Sequence, residues 1–571
     1  MVATRNPFME SSRTQCLFNV AACLLTLAQV YQFCPKRGRS RLALWILMLI
    51  PVIPYIANEI AIELSESSAS SSFDDHLEHP AEELTKIGKA GFQTLVQQQS
   101  KTYKAAHAEY QRRYAAEPPP GFEAWYKFAV EYRSPIIDDF DIIFDAVSPF
   151  WKLSGKEVNA IMDRLKNLPN NSLWNCRVSG EHAKTHCTNP YRTNDRNIIA
   201  SLNDMLGKLH GSLPDLEFIV NHLDEPRVLI PPVFFHADKK HFNVTDMSRS
   251  PSWKSITKFC ENQPTNESTR SKHEVESFGI PFISNMSSAM DLCRHPEYSS
   301  MYSLFMSPTS FSLVEGLAPV LSTGAPSTMG DILFPSPAYQ EHRFRYDESH
   351  DIEWEKKKNN LYWAGSTTGG FAVDDKWQLN QRQRFVTLVE NSKKQRYNYL
   401  RARGGIIHRV TSSFLNRRLF DVAFTNILQC ARKFCRDQRR SFSIKPWADG
   451  DRALRSKLVF DIDGNGISGR YYKLLASRST PLKQTLLREW HDDRLVPWVH
   501  YLPISQGMEE VPELVLYLTT TKSGQRLAKE IANQGREWFS KAFRDIDLTI
   551  YMYRLLLELA RLQDPKREAL R

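Results

Sequence analysis

No two of the nine cysteines stand in a Cys-x-x-Cys pair, so the close thiolate pairs of structural zinc sites are missing. No zinc-finger spacing and no aromatic-basic stripe of an RNA-binding sheet occur, which argues against a nucleic-acid partner. The phosphate-binding GxxxxGK[ST] motif is absent, which excludes a Walker-type nucleotide loop. No internal repeat is found, so a solenoid or propeller is not expected. What remains is ordinary for a globular chain: 42% apolar and 24% charged residues in 571, enough for two or three domains. The net charge of +10 suits an anionic partner such as a membrane surface or a phosphorylated small molecule, and equally a merely solvated basic surface.

The cysteines divide by position. Cys16, Cys23 and Cys34 lie in an apolar N-terminus, and Cys176, Cys187, Cys260, Cys293, Cys430 and Cys435 in the body. In an oxidising compartment the local pairs Cys176–Cys187, Cys260–Cys293 and Cys430–Cys435 are the expectation, one of fifteen pairings open to six cysteines. Residues 42–64 carry an apolar run interrupted by Pro51 and Pro54. It is just long enough for a spanning helix and is expected as a signal anchor. Lys36, Arg37, Arg39 and Arg41 precede it. By the positive-inside rule that cluster is cytosolic and the body lumenal, in the endoplasmic reticulum or Golgi. Residues 16–33 are a weaker candidate first span within the cytosolic segment 1–41. Sequons at Asn170, Asn243, Asn266 and Asn285 agree with a glycosylated lumenal body.

Residues 65–80 are rich in serine and read as a flexible stem; 81–115 have helical composition, so 65–120 is expected as stem and stalk. From residue 121 to 571 helical patterns alternate with β-rich runs at 216–220, 361–364, 457–462 and 496–502, which predicts an α/β body with a mainly parallel sheet. Three apolar periodicities, at 511–518, 524–534 and 546–562, predict closing helices.

Three segments have the composition of a ligand site. In Leu361-Tyr-Trp-Ala-Gly365-Ser366-Thr367-Thr368-Gly369-Gly370 an apolar strand enters a loop of small and hydroxyl residues, suited to phosphate oxygens. Arg382 and Arg384 follow on a helical stretch. Lys457-Leu-Val-Phe-Asp461-Ile-Asp463-Gly464-Asn465-Gly466-Ile-Ser468-Gly469-Arg470 is a strand, a Gly-rich loop and a helix start, which aims amides and a cation at one anionic spot. Its opening resembles a calcium loop, but the twelfth position is Tyr472 rather than Glu. Phe218-Ile-Val-Asn221-His222-Leu-Asp224-Glu225-Pro226 is a strand ending in a carboxylate, where a general base would stand. Each alone also fits an ordinary turn.

Together these segments resemble glycosyltransferase family 90, the family of fungal capsule-associated proteins and animal protein O-glucosyltransferases. The resemblance extends over residues 121–565. It includes Pro319-Val-Leu-Ser322 with Asp331-Ile-Leu-Phe-Pro335, and Pro497-Trp-Val-His-Tyr-Leu-Pro503 near the end. It implies an α/β fold of GT-B type, two Rossmann-like halves facing a cleft, divided near 340–355. It further implies a UDP-sugar donor, xylose or glucose by preference, an inverting transfer to a glycan or protein hydroxyl, and no required cofactor or metal. Carried across, Asp224 resembles the catalytic base. Gly365, Ser366 and Thr367 resemble the donor loop, with Arg384, or Arg382 in its place, as the downstream arginine. Gly464, Ser468 and Arg470 resemble the diphosphate contacts, and Ser479 a residue near the donor. The animal enzymes carry Arg where this chain has Thr367, so sugar choice does not carry over. Two other readings remain at this level. One is a non-catalytic lumenal binding protein. The other is a metal-dependent transferase using one of the pairs Asp139/Asp141, Asp461/Asp463 or Asp545/Asp547.

Overall fold

A computed structural model describes residues 13–33, 46–47, 50, 52–74, 77–168, 173–188, 197–232, 242–260, 279–391, 395–446 and 449–569. The basic cluster 36–41 and the sequons at Asn170 and Asn266 lie outside the described residues. Among those described, Cys16–Phe33 is the one helix long and apolar enough to cross a membrane. Its Leu17, Phe18 and Leu25 are exposed.

Most of the first half of the anchor expected at 42–64 lies outside the described residues, and its second half belongs to the second described helix. This helix starts at Val52, beyond Pro51, and runs through the serine stretch to Phe73. It is docked on the body. Glu59 pairs with Arg418, and Glu66 accepts from Asn416 Nδ2 at 3.0 Å. Ala69, Ser72 and Phe73 are buried, and Phe73 meets His79 and Tyr517 edge-on. The serines therefore do not form a flexible stem. Their small side chains let the helix approach closely, and the burial of Phe73 offsets their modest helix propensity. The stalk 81–115 is two helices, Pro80–Gln97 and Tyr103–Tyr114.

Two five-stranded sheets organise the body. In the first, Leu216–Asn221 pairs antiparallel with Leu173–Ser179 and parallel with Val320–Ser322, which in turn pairs parallel with Ile332–Leu333. Lys184–Thr188 closes its edge. In the second, Phe420–Asn426, Lys358–Ser366, Ser456–Ile462, Thr480–Gln484 and Leu502–Pro503 are all parallel. The first sheet is mixed because its edge is a hairpin, which needs only a short turn where a parallel neighbour needs a crossover. The run at 496–502 supplies a strand only at Leu502–Pro503. Before it the chain turns, with Trp498 at φ 64° and its indole donating to Ile283 O at 2.6 Å.

The closing helices are Val511–Thr520, Lys522–Ala542 and Asp545–Gln563. The first two cover the second sheet. The last crosses back to the core of the first sheet, where Leu555, Leu556, Leu559 and Leu562 are buried. Each such leucine contributes about 1.5–3 kcal/mol, so this crossing ties the two sheets together. The three expected disulfides are formed: Cys176–Cys187 across a hairpin, Cys260–Cys293 and Cys430–Cys435.

Candidate functional site

Parallel strands leave their loops at the carboxyl ends, and open sheets hold ligands there. In this chain the carboxyl ends of both sheets open onto one cleft of about 1360 Å³. From the first sheet come Asn221, His222, Leu223, Asp224 and Thr323. The second contributes Gly365, Ser366, Thr368, Asn426, and residues 464–470.

The first rim is built around two buried side chains. Asn221 takes the backbone N–H of Leu223 at 3.1 Å and donates to Glu225 O at 2.7 Å and Ser322 Oγ at 3.1 Å. Asp331 accepts the backbone N–H groups of Arg227 and Val228 at 2.8 and 2.9 Å. Burial pushes its carboxyl up to about 6. Between them these residues fix the turn on which Asp224 stands, half-buried at the cleft wall. The neighbouring Glu225 points inward and accepts from Ser310 N and Oγ at 3.0 and 3.1 Å. Burial first, and the Asp224 charge second, push Glu225 up to about 7.

The second rim is two loops laced by one guanidinium. Arg382 donates to Asp463 O (2.9 Å) and Ile462 O (3.2 Å) on one loop, and to Ser366 O (3.1 Å) and Thr368 Oγ1 (2.7 Å) on the other. Burial lowers it to about 9. Asn465 adds a second lace by accepting Gly369 N at 3.1 Å. Arg470 lines the cleft and donates to Ala364 O at 2.6 Å, with its guanidinium 5.9 Å from the Trp363 ring. Burial lowers its pKa while Asp461 holds it up. The helix after it, Tyr471–Ala476, has only six residues, too short for much of a dipole. Positive charge at this rim therefore comes from side chains and loop amides rather than from the expected helix terminus.

The two rims touch. A Cβ on Gly466 would lie 2.2 Å from the Asp224 carbonyl oxygen. The absent side chain is what lets the Gly-rich loop sit beside the Asp224 turn.

Not every expected site residue faces this cleft. Gly365, Ser366, Arg382, Gly464, Ser468, Arg470 and Asp224 line it. Ser468 also donates to the buried Asp461. Thr367 is turned away: its Oγ1 donates to Leu428 O and accepts from Leu428 N, both at 2.9 Å. Arg384 lies two positions from Arg382, about 200° around the helix. It donates to Leu379 O and Met301 O. Ser479 precedes the strand Thr480–Gln484, bonds Lys357 and Ser456 O at the amino ends of the strands, and does not line the cleft. Asn243 and Asn285 are exposed.

The Asp-x-Asp pairs are committed elsewhere. Asp461 and Asp463 are fully buried, with Lys483 Nζ 3.9 Å from Asp461 and the Tyr302 hydroxyl 2.7 Å from Asp463. Asp139 pairs with Arg113, and Asp141 accepts from Tyr114. Asp547 pairs with Arg544 at the start of the last helix. The carboxylates that do line the cleft include Asp224, Glu341, Asp347, Glu348, Asp449 and Asp451. Sequence reasoning missed the Asn465 lace and the lining segment 341–348. Asn465 carried a signal in its Gly-rich setting; the segment carried none.

Residues 342–569 match the sequence model of glycosyl transferase family 90. The chain carries a family 90 domain. The match covers the second sheet, both laced loops and all three closing helices. Relatives include Protein O-glucosyltransferase 1 of Rattus norvegicus, 31% identical over 108 residues, and O-glucosyltransferase rumi of Drosophila pseudoobscura pseudoobscura, 37% identical over 111 residues. Protein O-glucosyltransferase 1 of Homo sapiens is 30% identical over 108 residues. These alignments take in 18%, 19% and 18% of this chain and 26% of each relative. The chain thus spans about a quarter of the length of the curated relatives it matches. The Asp224 turn lies upstream of the family 90 match.

Proposed function

We propose that this chain is an inverting glycosyltransferase that moves a sugar from a UDP-sugar onto a hydroxyl of a glycan or protein acceptor. The observation that carries the reading is the convergence of two sets of strand carboxyl ends on one cleft, with a carboxylate on one rim and two arginines on the other. On this reading the halves act as the two sides of a GT-B-type enzyme. The family 90 match and the names of the relatives support transfer of a sugar, with glucose or xylose as first choices.

Asp224 is the proposed base. It takes the acceptor proton as the hydroxyl oxygen forms its bond to the anomeric carbon. The bond from that carbon to the diphosphate oxygen breaks, and UDP leaves with the electron pair. Arg470, the edge of Arg382 and the amides of residues 464–469 stabilise the developing charge by preorganised electrostatics. Those cations supply the positive charge a diphosphate needs, so no step is routed through a metal ion. The helix Cys16–Phe33 is proposed as the membrane anchor, with the body in the lumen of the secretory pathway.

The test uses the full chain in detergent with a panel of UDP-sugars and measurement of UDP release. Asp224→Asn is expected to keep UDP binding and to lose about 100-fold or more in transfer. Wild-type transfer by that variant removes Asp224 from the mechanism. Absence of both UDP binding and release with every donor favours a non-catalytic binding protein.

A further inference from the structure

The helix Val52–Phe73 is docked on the body along one side. Ile62, Ala69 and Phe73 are buried there, and Glu59 and Glu66 turn to Arg418 and Asn416. The opposite side is open. Ile53, Ile56, Ala57, Ile60 and Leu64 are exposed on it. At about 100° per residue these five fall within an arc of about 100°. The same arc continues into Ser67 and Ser71, which are exposed as well. Glu63 flanks it, about 20° outside. One face of one helix thus changes from apolar to hydroxylic after Leu64. A contiguous apolar patch of this kind marks a contact surface rather than a face turned to water.

The apolar half is continuous with the candidate membrane span. Ile46, Leu47 and Ile50, just before the helix, are exposed too. Cys23, near the middle of Cys16–Phe33, donates its Sγ–H to Leu47 O at 3.6 Å, and the helices Arg13–Phe33 and Val52–Phe73 pack together. Around the first of these the exposed residues Leu17, Phe18, Leu24, Val30 and Phe33 are spread over the whole circumference. A helix that is apolar all round is covered on all sides. A second copy of the chain would cover one face of it, whereas lipid covers every face. From the level of Leu47, the stretch from Val52 to Leu64 measures about 18 Å at about 1.5 Å per residue. That is close to half of a hydrocarbon core of about 30 Å.

We propose that Ile53, Ile56, Ala57, Ile60 and Leu64 form a lipid-contact face: the helix Val52–Phe73 begins inside the bilayer beside Cys16–Phe33, leaves the acyl chains at Leu64, and bears the body directly at the membrane surface. This rests on the reading of Cys16–Phe33 as a membrane span. Ser67 and Ser71 then stand among headgroups and water, and Glu63, at the level of Leu64, reaches the same boundary. The docked half leaves no hinge between membrane and body. Ser72 Oγ accepts from Ala402 N at 3.1 Å, Asp74 Oδ1 accepts from Lys522 N at 2.9 Å, and Phe73 packs on Tyr517. One continuous helix, in place of a flexible stem, therefore holds the second sheet and its cleft rim at a fixed height and angle to the bilayer.

The experiment puts one nitroxide at a time on the full chain, through Leu25→Cys, Ile53→Cys, Ile60→Cys, Ser67→Cys or Ser71→Cys, in a background of Cys16→Ser, Cys23→Ser and Cys34→Ser. Each chain is reconstituted in phosphatidylcholine vesicles. Electron spin resonance reads collisions with oxygen, which concentrates in acyl chains, and with a water-soluble nickel chelate. Residues 25, 53 and 60 are expected to favour oxygen, with the preference falling from 53 to 60, and residues 67 and 71 to favour nickel. Independently, a diazirine carried in the acyl chains is expected to modify residues 46–64 of the unsubstituted chain and to spare 65–73. Oxygen preference at 25 with nickel preference at 53 and 60 overturns the proposal and leaves the span intact. Nickel preference at all five positions overturns both. Oxygen preference at 53 and 60 but not at 25 supports the lipid face and sinks the span. Oxygen preference reaching 67 and 71 overturns the exit at Leu64. Spin–spin broadening at residue 60 that disappears on dilution with unlabelled chain overturns the proposal in favour of a second copy.

Discussion

Replacing Gly466 by Ala tests whether contact between the two rims aligns the site. Gly466 has no left-handed backbone requirement, so alanine introduces no dihedral strain. Only its Cβ is new. That atom would fall 2.2 Å from the Asp224 carbonyl oxygen, 2.9 Å from its carbonyl carbon and 3.2 Å from its Cα. Real Cβ contacts essentially never fall under 3.0 Å, so the two backbones must part by about 0.8 Å. Both partners are main chain, and neither can swing aside as a side-chain end could. Overpacking of this kind costs about 1–3 kcal/mol. A misplacement of about 1 Å between reacting groups costs about 100-fold in rate. The expected result is a drop of about 100-fold in kcat for sugar transfer, with UDP affinity within about threefold of wild type, because the Arg470 rim moves as a unit. Gly91→Ala is the control. It lies in the helix Pro80–Gln97, and its added Cβ would meet nothing within 4 Å. It should leave kcat unchanged and raise stability by up to about 1 kcal/mol. Wild-type kcat in Gly466→Ala, with an unshifted melting temperature, refutes the idea that this contact sets the geometry.

Three further outcomes are expected. Arg382→Lys should destabilise the chain by about 2–4 kcal/mol in denaturant titration, because a point cation cannot serve four acceptors on two loops. Glu225→Gln bears on pH: the folded carboxyl is raised to about 7 from 4.5, so wild type holds this contribution in full below pH 4.5 and loses it as pH rises to 7. Relative to the Gln variant, wild-type stability should fall by up to about 3 kcal/mol across that window. Paired Cys→Ser variants should rank by loop length. Cys260–Cys293, at a separation of 33 residues, should cost most, about 3.7 kcal/mol, and Cys430–Cys435, at 5, least, about 2 kcal/mol, in thermal unfolding.

Much of this architecture could be read from local pattern. The strands at 216–220, 361–364 and 457–462, the closing helices and the pairing of neighbouring cysteines all depend on nearby residues and match the structure, whereas the run at 496–502 does so only at its end. The site was legible as segments rather than as side chains. Pattern places a loop at a strand end but does not say which way each residue of the loop turns. Ser366 and Thr368 face the cleft while Thr367, between them, closes on Leu428. Ser479 was set near the donor by the family resemblance and not by local pattern. The strand Thr480–Gln484 is buried at every position, as expected for a parallel strand covered on both faces. Such a strand has no alternation to mark its faces, and its ends are hard to assign to one edge of the sheet or the other. The serine stretch read as a stem differed in another way, since it continues the helix Val52–Phe73. Hydropathy favoured 42–64, yet three carboxylates, Glu59, Glu63 and Glu66, lie on the helix that follows Pro51. Two of them find partners on the body. Docking contacts of that kind join residues about 350 positions apart and leave no local trace.

Arg382 and Arg384 make the limit concrete. They are identical residues two positions apart on one helix, and composition treats them alike. Helical geometry sets them about 200° apart. Arg382 enters the space between two strand-end loops, where four acceptors wait. Arg384 caps the carbonyls of Leu379 and Met301 behind them. A motif that requires an arginine near this point is satisfied by either. Only the direction of the side chain decides which of them can reach a diphosphate. Exchanging Arg384 for Gln should therefore cost stability while leaving UDP affinity within about twofold, whereas the same change at Arg382 should lower both. Calorimetric titration of UDP into the two variants separates the roles. Equal loss of affinity in both would mean that the cleft extends to the face of Arg384.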